Sequence, residues 1–201
     1  MKKTDNSSLE AKLLLRRYFL DKYHAKKKPK VLDCCQGDQL LWTKLRKEYD
    51  LASYWGVDMK PKRGRLKIDS RRILALPGWK ENVIDIDTYG SPWRHWMAML
   101  PNVSQPITVF LTIGRMTMGA DKASLKALNL ENIKLPAGIA LKVGLGHLAL
   151  SRLLTAGYDL GIIPEEAVEA VTSKHLNARY VGVRLKKTTA GKSGRKALCE
   201  T

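Results

Sequence analysis

The sequence predicts a single-domain α/β fold with a doubly wound, mostly parallel sheet. Short apolar segments alternate with segments of helical periodicity between residues 31 and 113, which is the pattern of strand–helix–strand units. The segment Ile107–Ile113 is an almost continuous apolar run, as expected for a strand that is buried on both faces. A chain of 201 residues, 44% of them hydrophobic, is long enough to bury a substantial core as one domain.

The predicted elements follow one another from the N-terminus. The capping-box spacing of Ser7 and Glu10 begins a helix that runs to about Tyr23, and a basic connector follows at residues 24–30. Strands are predicted at residues 31–35, 53–58, 66–69, 82–87, 107–113 and 180–185, and helices at 38–49, 70–76, 92–100, 147–156 and 164–173. Residues 115–145 give no assignable pattern. The chain thus divides into an N-terminal helix with its connector (1–29), an α/β domain (30–185) and a basic tail (186–201) that is expected to be mobile.

The net charge of +17 is concentrated at the two ends of the chain. Residues 1–30 carry ten Lys and Arg against three acids and residues 174–201 carry eight against one, whereas residues 31–173 carry eighteen against fifteen. Basic ends around a nearly neutral centre are expected when flanking segments contact phosphates, so a nucleic acid is the predicted partner. The alternative is a soluble protein with basic tails.

The composition also bears on location. No apolar run is long enough for a membrane span, and the charged N-terminus lacks the apolar centre of a signal peptide. Three cysteines, two of them adjacent, can form neither a disulfide framework nor a metal-ligand spacing. A cytoplasmic protein without a membrane contact or a metal is therefore expected.

Acidic residues stand at the ends of four successive predicted strands: Asp33, Asp58, Asp69 and the pair Asp85 and Asp87. The carboxyl ends of parallel strands lie on one edge of a sheet, so these side chains can converge there. The first strand runs into a turn at Gly37 and then a helix, the arrangement beside which adenosine-containing ligands bind. Asp58 follows Gly37 by 21 residues, the distance at which a carboxylate can accept from both ribose hydroxyls. Turn formation is the alternative role for each acid.

The segments that contain these acids resemble the corresponding segments of class I methyltransferases, which use S-adenosylmethionine. The similar segments are 31–37, 56–58, 67–69 and 85–92, and the resemblance covers residues 30–113. The segment Asp85-Ile-Asp-Thr-Tyr-Gly-Ser-Pro92 is similar to the Asp-Pro-Phe/Tyr-Gly-Ser-Pro motif of tRNA guanine-N2 dimethyltransferases, and more distantly to the Asp-Pro-Pro-Tyr motif of amino-methylating nucleic-acid enzymes. The resemblance implies a Rossmann-like fold, S-adenosylmethionine as cofactor, and methyl transfer to a nitrogen of an RNA or DNA base.

The resemblance also implies roles for individual residues. Gly37 and its neighbours would let the backbone approach the methionine part of the cofactor, and the acids would face the amino group (Asp33), the ribose (Asp58) and the adenine (Asp69). Asp87 would hold an exocyclic amine of the base, and Tyr89 would stack on that base. The further predicted contacts to the cofactor are Cys34, Met59 and Asp85, and those to the substrate are Ser91, Pro92, Lys60, Lys62, Arg63 and Arg65.

Two positions depart from the family pattern. Gln39 stands where the glycine turn usually has a second Gly, and Thr88 replaces the proline of the amine-holding motif. The alternatives to a nucleic-acid methyltransferase are a non-catalytic nucleic-acid-binding protein that keeps the fold, and a methyltransferase that acts on a protein or a small molecule.

Overall fold

A computed structural model describes residues 8–60, 66–88, 92–114, 144–170 and 178–188. Five α-helices lie in these ranges: α1 (Leu9–His24), α2 (Leu40–Glu48), α3 (Ser70–Leu74), α4 (Trp93–Met99) and α5 (Gly144–Thr155). The strands are β1 (Lys30–Asp33), β2 (Ser53–Gly56), β3 (Val83–Ile86), β4 (Ile107–Gly114), β5 (Ile162–Ala170) and β6 (Ala178–Lys187). None of the described helices is long and apolar enough to cross a membrane.

The six strands form one sheet in the order β2-β1-β3-β4-β6-β5. The pairs β1–β2, β1–β3 and β3–β4 are parallel, and β6 runs antiparallel to both β4 and β5. The predicted α/β fold with a mostly parallel sheet is therefore confirmed. The carboxyl ends of β1 to β4 lie side by side, and we refer to this side of the sheet as the C-terminal edge.

Helices cover both faces of the sheet, because side chains alternate along each strand. On one face, α1 and α2 pack on the side chains of Val31, Val83 and Phe110. On the other face, α4 packs on their neighbours Leu32 and Ile84. The residues that fill the first layer from the helices include Leu13, Phe19, Trp42 and Leu45, and those of the second include Leu74, Trp93, Trp96, Met99 and Leu153.

The prediction of a helix at residues 164–173 is wrong for residues 164–170, because Ile162–Ala170 form the edge strand β5. Residues 171–173 lie outside the described ranges. Pro164 lies where the pairing with β6 shifts register, a place where an edge strand tolerates a proline. The Glu166 carboxylate accepts hydrogen bonds from Tyr18, Lys22 and Tyr23 of α1, at 2.7 to 2.8 Å. Contacts with β6 and α1 thus override the helix propensity of a segment rich in Ala and Glu.

Other boundaries also differ from the prediction. Among the described residues, the strand predicted at 66–69 forms only an isolated bridge between Lys67 and Asp58. Asp69 rather than Ser70 caps α3, because its side chain accepts from the Arg71 amide. Helix α1 begins after Ser8, which makes no side-chain cap bond, and Ser7 lies outside the described residues. Strand β6 extends to Lys187, two residues into the predicted tail. The unassigned segment 115–145 lies almost entirely outside the described ranges.

Candidate functional site

The turn that joins β1 to α2 lies at the C-terminal edge and is tied to both neighbouring strands. The Cys34 amide donates to the Asp85 carbonyl at 2.8 Å, and the Gln36 amide donates to the Val57 carbonyl at 3.1 Å. Within the turn, Gly37 has a φ of 46° and Gln39 a φ of 59°. The left-handed conformation costs a residue with a Cβ about 1–2 kcal/mol, so the surrounding contacts hold Gln39 in a backbone geometry that favours glycine.

Asp58, for which the spacing of 21 residues predicts a contact with a ribose, contacts this turn. Its Oδ2 accepts from the Gly37 amide at 3.1 Å, and its Oδ1 accepts from the Lys60 amide at 2.8 Å. Each carboxylate oxygen can accept a further hydrogen bond. Met59 and Leu66 adjoin Asp58 and are 56% and 53% exposed. This part of the edge combines a hydrogen-bonding carboxylate with exposed apolar surface.

The side chain of Gln36 fills the space above Gly56 on β2. A Cβ at Gly56 would lie 2.3 Å from Gln36 Oε1, so any larger residue there would displace the end of the Gln36 side chain. Gln36 Oε1 accepts from the Gln39 side-chain amide, which holds Gln39 against the turn. Gln36 Nε2 is buried and has no hydrogen-bond partner within the described ranges. A buried donor without a partner at the edge of a sheet can serve an acceptor on a bound ligand.

Three carboxylates form a row on the face that α1 covers. Asp33 on β1 is directly beside Asp85 on β3, and Asp87 follows two residues later on the same face. Asp33 accepts from the Tyr54 hydroxyl at 2.8 Å and from the Cys35 amide at 3.3 Å. Burial, and then the nearby Asp85 charge, raise the pKa of Asp33 well above its usual value. Asp87 ends the row and is its most accessible member, with 27% of its side chain exposed.

Helix α1 supplies two cations to this row. Arg16 makes a bidentate ion pair with Asp85, whose Oδ2 also accepts from Trp42 Nε1 at 2.7 Å. Lys12 Nζ donates to both oxygens of Asp87, at 2.9 and 2.7 Å. Burial opposes ionisation of Asp87, but Lys12 and Arg16 keep its pKa below the usual value.

Sequence reasoning missed these two cations, although a signal for them exists. Lys12 and Arg16 are one helical turn apart in α1, on the same side as the buried Leu13, Phe19 and Leu20. A cation on an apolar helix face needs a buried acid as its partner. The acids lie 75 and 69 residues further along the chain, so the pattern identifies the cations but not their partners.

Asp69 and Cys34 make structural contacts on the opposite face. Asp69 forms a bidentate ion pair with Arg71, whose hydrogen bonds lower the pKa of the carboxyl group. The Cys34 side chain is in the apolar core, where burial raises the pKa of its thiol. The Cys34 carbonyl accepts from Ser70 Oγ at 2.9 Å, and Ser70 Oγ in turn lies 3.0 Å from His95 Nε2. The predicted cofactor contacts of Asp69 and Cys34 stay predictions.

The remaining predicted residues divide into two groups. Pro92 is buried just before α4, Lys60 is exposed beside Asp58, and Thr88 is buried with no partner for its hydroxyl in the described ranges. Five others lie outside the described residues: Tyr89, Ser91, Lys62, Arg63 and Arg65. The structure thus brings Asp58 to the Gly37 turn and aligns Asp33, Asp85 and Asp87, while the stacking role of Tyr89 stays a prediction.

Comparison with known proteins relates the fold of this chain to that of methyltransferases of known structure. No protein-family model and no curated protein sequence matches the chain. Its structure is similar to that of Trm1 from Pyrococcus horikoshii, solved with S-adenosyl-L-methionine (TM-score 0.64, 14% identity, 91% of this chain and 56% of that one). It is also similar to TYW2 from M. jannaschii, solved with AdoMet (TM-score 0.55, 9% identity, 94% and 79%).

A third similar structure is the plantazolicin methyltransferase BamL, solved with a triazolic desmethylPZN analog and SAH (TM-score 0.53, 12% identity, 93% of this chain and 87% of that one). The chain spans little more than half the length of Trm1. At 9 to 14% identity these likenesses establish the fold. The protein therefore has the Rossmann-like fold of class I S-adenosylmethionine-dependent methyltransferases.

Proposed function

We propose that this protein transfers a methyl group from S-adenosylmethionine to a nitrogen of a nucleic-acid base. The observation that carries the proposal is the hydrogen bond between the Asp58 carboxylate and the Gly37 amide, at 3.1 Å. This bond joins the turn after β1 to the acid after β2, at the edge where open α/β sheets bind nucleotides. Asp87 lies at the same edge, directly after β3, and β3 is the neighbour of β1 in the sheet.

The residues at this edge fit the cofactor. Asp58 keeps lone pairs on both oxygens for the ribose hydroxyls, and the exposed Met59 and Leu66 offer apolar surface for an adenine ring. The buried Gln36 Nε2 lacks a partner among the described residues and suits an acceptor such as the cofactor carboxylate. When bound, S-adenosylmethionine supplies an electrophilic methyl group on a sulfonium.

Asp87 is the residue that we propose presents the acceptor nitrogen. Its carboxylate accepts an N–H of an exocyclic amine, which directs the nitrogen lone pair toward the methyl group. The N–C bond would form as the S–C bond breaks, S-adenosylhomocysteine would leave, and the methylated nitrogen would release one proton to water. Holding the acceptor nitrogen in line with the methyl group supplies much of the rate enhancement, so the reaction does not need a strong general base. The net charge of +17, concentrated at both ends of the chain, favours a polyanionic substrate. The similarity of residues 85–92 to the motif of tRNA guanine-N2 dimethyltransferases supports RNA as the first pool to test.

A non-catalytic nucleic-acid-binding protein is the second candidate. Two observations favour it: the Arg71 guanidinium already binds the Asp69 carboxylate that we predict to contact adenine, and Gln39 replaces a turn glycine. Such a protein would bind RNA or DNA with a steep salt dependence and would not respond to the cofactor. The third candidate is a methyltransferase that acts on a protein or a small molecule. BamL, a plantazolicin methyltransferase of similar fold, was solved with a triazolic desmethylPZN analog.

The first experiment is a thermal unfolding series with S-adenosylmethionine and S-adenosylhomocysteine. Ligand at about 100 times its Kd should stabilise the wild type by about 2.7 kcal/mol. Asp58→Ala should lose this stabilisation, whereas Asp50→Ala, at an acid that pairs with Lys28 beyond the far end of α2, should keep it. A wild type that does not respond to either ligand contradicts the proposal.

The second experiment identifies the acceptor. Incubation with S-adenosylmethionine labelled in its methyl group, and separate RNA, DNA and protein pools, should label nucleic acid in the wild type. Asp87→Ala should abolish this labelling and keep the thermal response to the cofactor, because Asp87 contacts the acceptor in this proposal. Salt-dependent nucleic-acid binding without label transfer would favour the non-catalytic candidate, and label in protein alone would exclude a nucleic-acid acceptor.

A further inference from the structure

Lys12 lies behind the acid that faces the substrate in the proposed reaction. Its Nζ is 2.9 Å from one oxygen of Asp87 and 2.7 Å from the other, so the carboxylate is held in a single orientation. The Lys12 side chain is 8% exposed and that of Asp87 is 27% exposed. The cation therefore approaches from inside the protein and leaves the outer side of the carboxylate accessible.

The position of Lys12 is itself fixed. Its Nζ lies 5.1 Å from the centroid of the Tyr180 ring on β6, within the range of a cation–π contact. The backbone of Lys12 is also held. Arg16 Nη1 donates to the Lys12 carbonyl at 3.0 Å, and the Arg16 guanidinium is itself fixed by its ion pair with Asp85. A lysine held at one end by its helix and at the other by an aromatic ring is a rigid support for a carboxylate.

Asp87 keeps the capacity to accept a substrate N–H in this arrangement. A carboxylate has about four lone-pair sites, of which Lys12 uses one on each oxygen and the hydroxyl of Thr112 on β4 can use a third. The charged or titratable groups that face Asp87 besides Lys12 are Arg16 on α1, Asp33 on β1, Asp85 on β3 and Cys35 in the turn. Of the cations in the described ranges, Lys12 is the one with hydrogen bonds to Asp87.

We propose that Lys12 is a positioning residue for the methyl transfer: it fixes the Asp87 carboxylate so that its outer lone pairs meet the acceptor amine. This inference rests on the proposed function of Asp87. Lys12 does not touch the substrate in this role. Its loss therefore lowers the rate of transfer and leaves binding of the cofactor and the nucleic acid unchanged.

The test measures steady-state methyl transfer to the nucleic-acid pool that accepts label from the wild type. It compares four proteins: wild type, Lys12→Met, Lys12→Arg and Lys22→Met. Lys22 is the matched control, because it lies on the same helix and loses one ion pair, with Glu166, at a distance from Asp87. Lys12→Met should lower kcat about 10- to 100-fold with both KM values unchanged within about 2-fold, since a loosely held group loses alignment. Lys12→Arg keeps the charge and should recover part of kcat, and Lys22→Met should behave as wild type.

A pH profile separates positioning from a general loss of structure. Lys12→Met removes one of the two cations that lower the pKa of Asp87 and leaves Arg16 in place, so the acid limb of kcat should move to higher pH in Lys12→Met and not in Lys22→Met. If Lys12→Met does not fold, Lys12→Gln replaces it, and the Lys12→Arg result is read in the same way. An unchanged kcat in the Lys12 variants, or equal losses in Lys12→Met and Lys22→Met, overturns the role of Lys12. A wild type that labels no pool overturns the proposed function itself.

Discussion

Arg16 and Asp85 form a bidentate ion pair that joins helix α1 to strand β3 inside the protein. Arg16 Nε lies 2.9 Å from Oδ2 of Asp85, and Nη2 lies 2.7 Å from Oδ1. Each side chain is 2% exposed. The guanidinium also lies over the Phe110 ring, 4.8 Å from its centroid. This pair anchors α1 beneath the C-terminal edge and thereby brings Lys12 to Asp87.

Arg16→Met should destabilise the protein by about 3–5 kcal/mol, because it leaves the Asp85 carboxylate buried without its cation. Arg17→Met is the matched control on the same helix, since Arg17 pairs with Glu48 at the surface, and its effect should be far smaller. Urea unfolding measures both. The double variant Arg16→Met/Asp85→Leu should recover much of the loss, and a single variant as stable as wild type would contradict the structural role of the pair.

Asp33 should respond to pH in the opposite way to an ion-paired acid. Burial raises the pKa of Asp33 in the folded state, so the folded protein binds a proton that the unfolded chain has already released. The stability from this group is therefore present below the ordinary pKa of about 4 and is lost as the pH rises toward the folded value. Asp33→Asn cannot take part, and it should become more stable relative to wild type as the pH rises from 4 to 8.

Urea unfolding of wild type and Asp33→Asn across that pH range checks this prediction. Asp85→Asn serves as the control, because Asp85 is beside Asp33 in the sheet but is paired with Arg16. It should lose about 3 kcal/mol or more at neutral pH, since a buried guanidinium loses its counter-charge. A constant difference between wild type and Asp33→Asn at every pH would show that Asp33 does not carry a raised pKa.

Gln39→Gly should change the free energy of unfolding by less than about 0.5 kcal/mol. Glycine relieves the left-handed φ of 59°, worth about 1–2 kcal/mol, but it loses the hydrogen bond to Gln36 and makes the unfolded chain more flexible. Lys44→Gly in the middle of α2 lacks the first of these terms and should cost about 0.5–1 kcal/mol. Thermal or urea unfolding measures both variants. Equal losses at the two positions would mean that Gln39 is not strained.

Gly182→Ala tests the close packing of α1 on β6. A Cβ at this position would lie 2.4 Å from Cε2 and 2.8 Å from Cδ2 of Phe19, whose ring is fully buried. The overpacking should cost about 1–3 kcal/mol in urea unfolding. Phe19→Leu removes the ring edge, so the double variant should lose less than the sum of the two single variants. Strict additivity would indicate that Phe19 and residue 182 do not touch.

Several features of the site follow from local sequence. Apolar runs that end in an acid predict strands whose carboxylates share one edge, and Asp33, Asp58, Asp85 and Asp87 lie there as expected. The alternation of strand, turn, helix and strand between residues 31 and 58 predicts that Asp58 follows a strand parallel to the first, and β2 does pair with β1 in parallel. Such features depend on residues close in sequence, for which the periodicity of the side chains is sufficient information.

Other features arise only when distant segments meet. The local pattern of residues 162–170 favours a helix, and pairing with β6 makes it a strand. The acids that pair with Lys12 and Arg16 are known only when α1 is placed over the sheet, because they lie 75 and 69 residues further along the chain.

What the sequence alone determined is the α/β class, the alternation of strands and helices that gives a mostly parallel sheet, and the edge of the sheet at which the acids lie. What only the tertiary structure decided is how those acids are partnered: Asp85 with Arg16, Asp87 with Lys12, and Asp33 with a hydroxyl in place of a cation. The physical reason is that backbone periodicity is a local property, whereas a buried charge is stable only with a partner that the folded chain brings from far away.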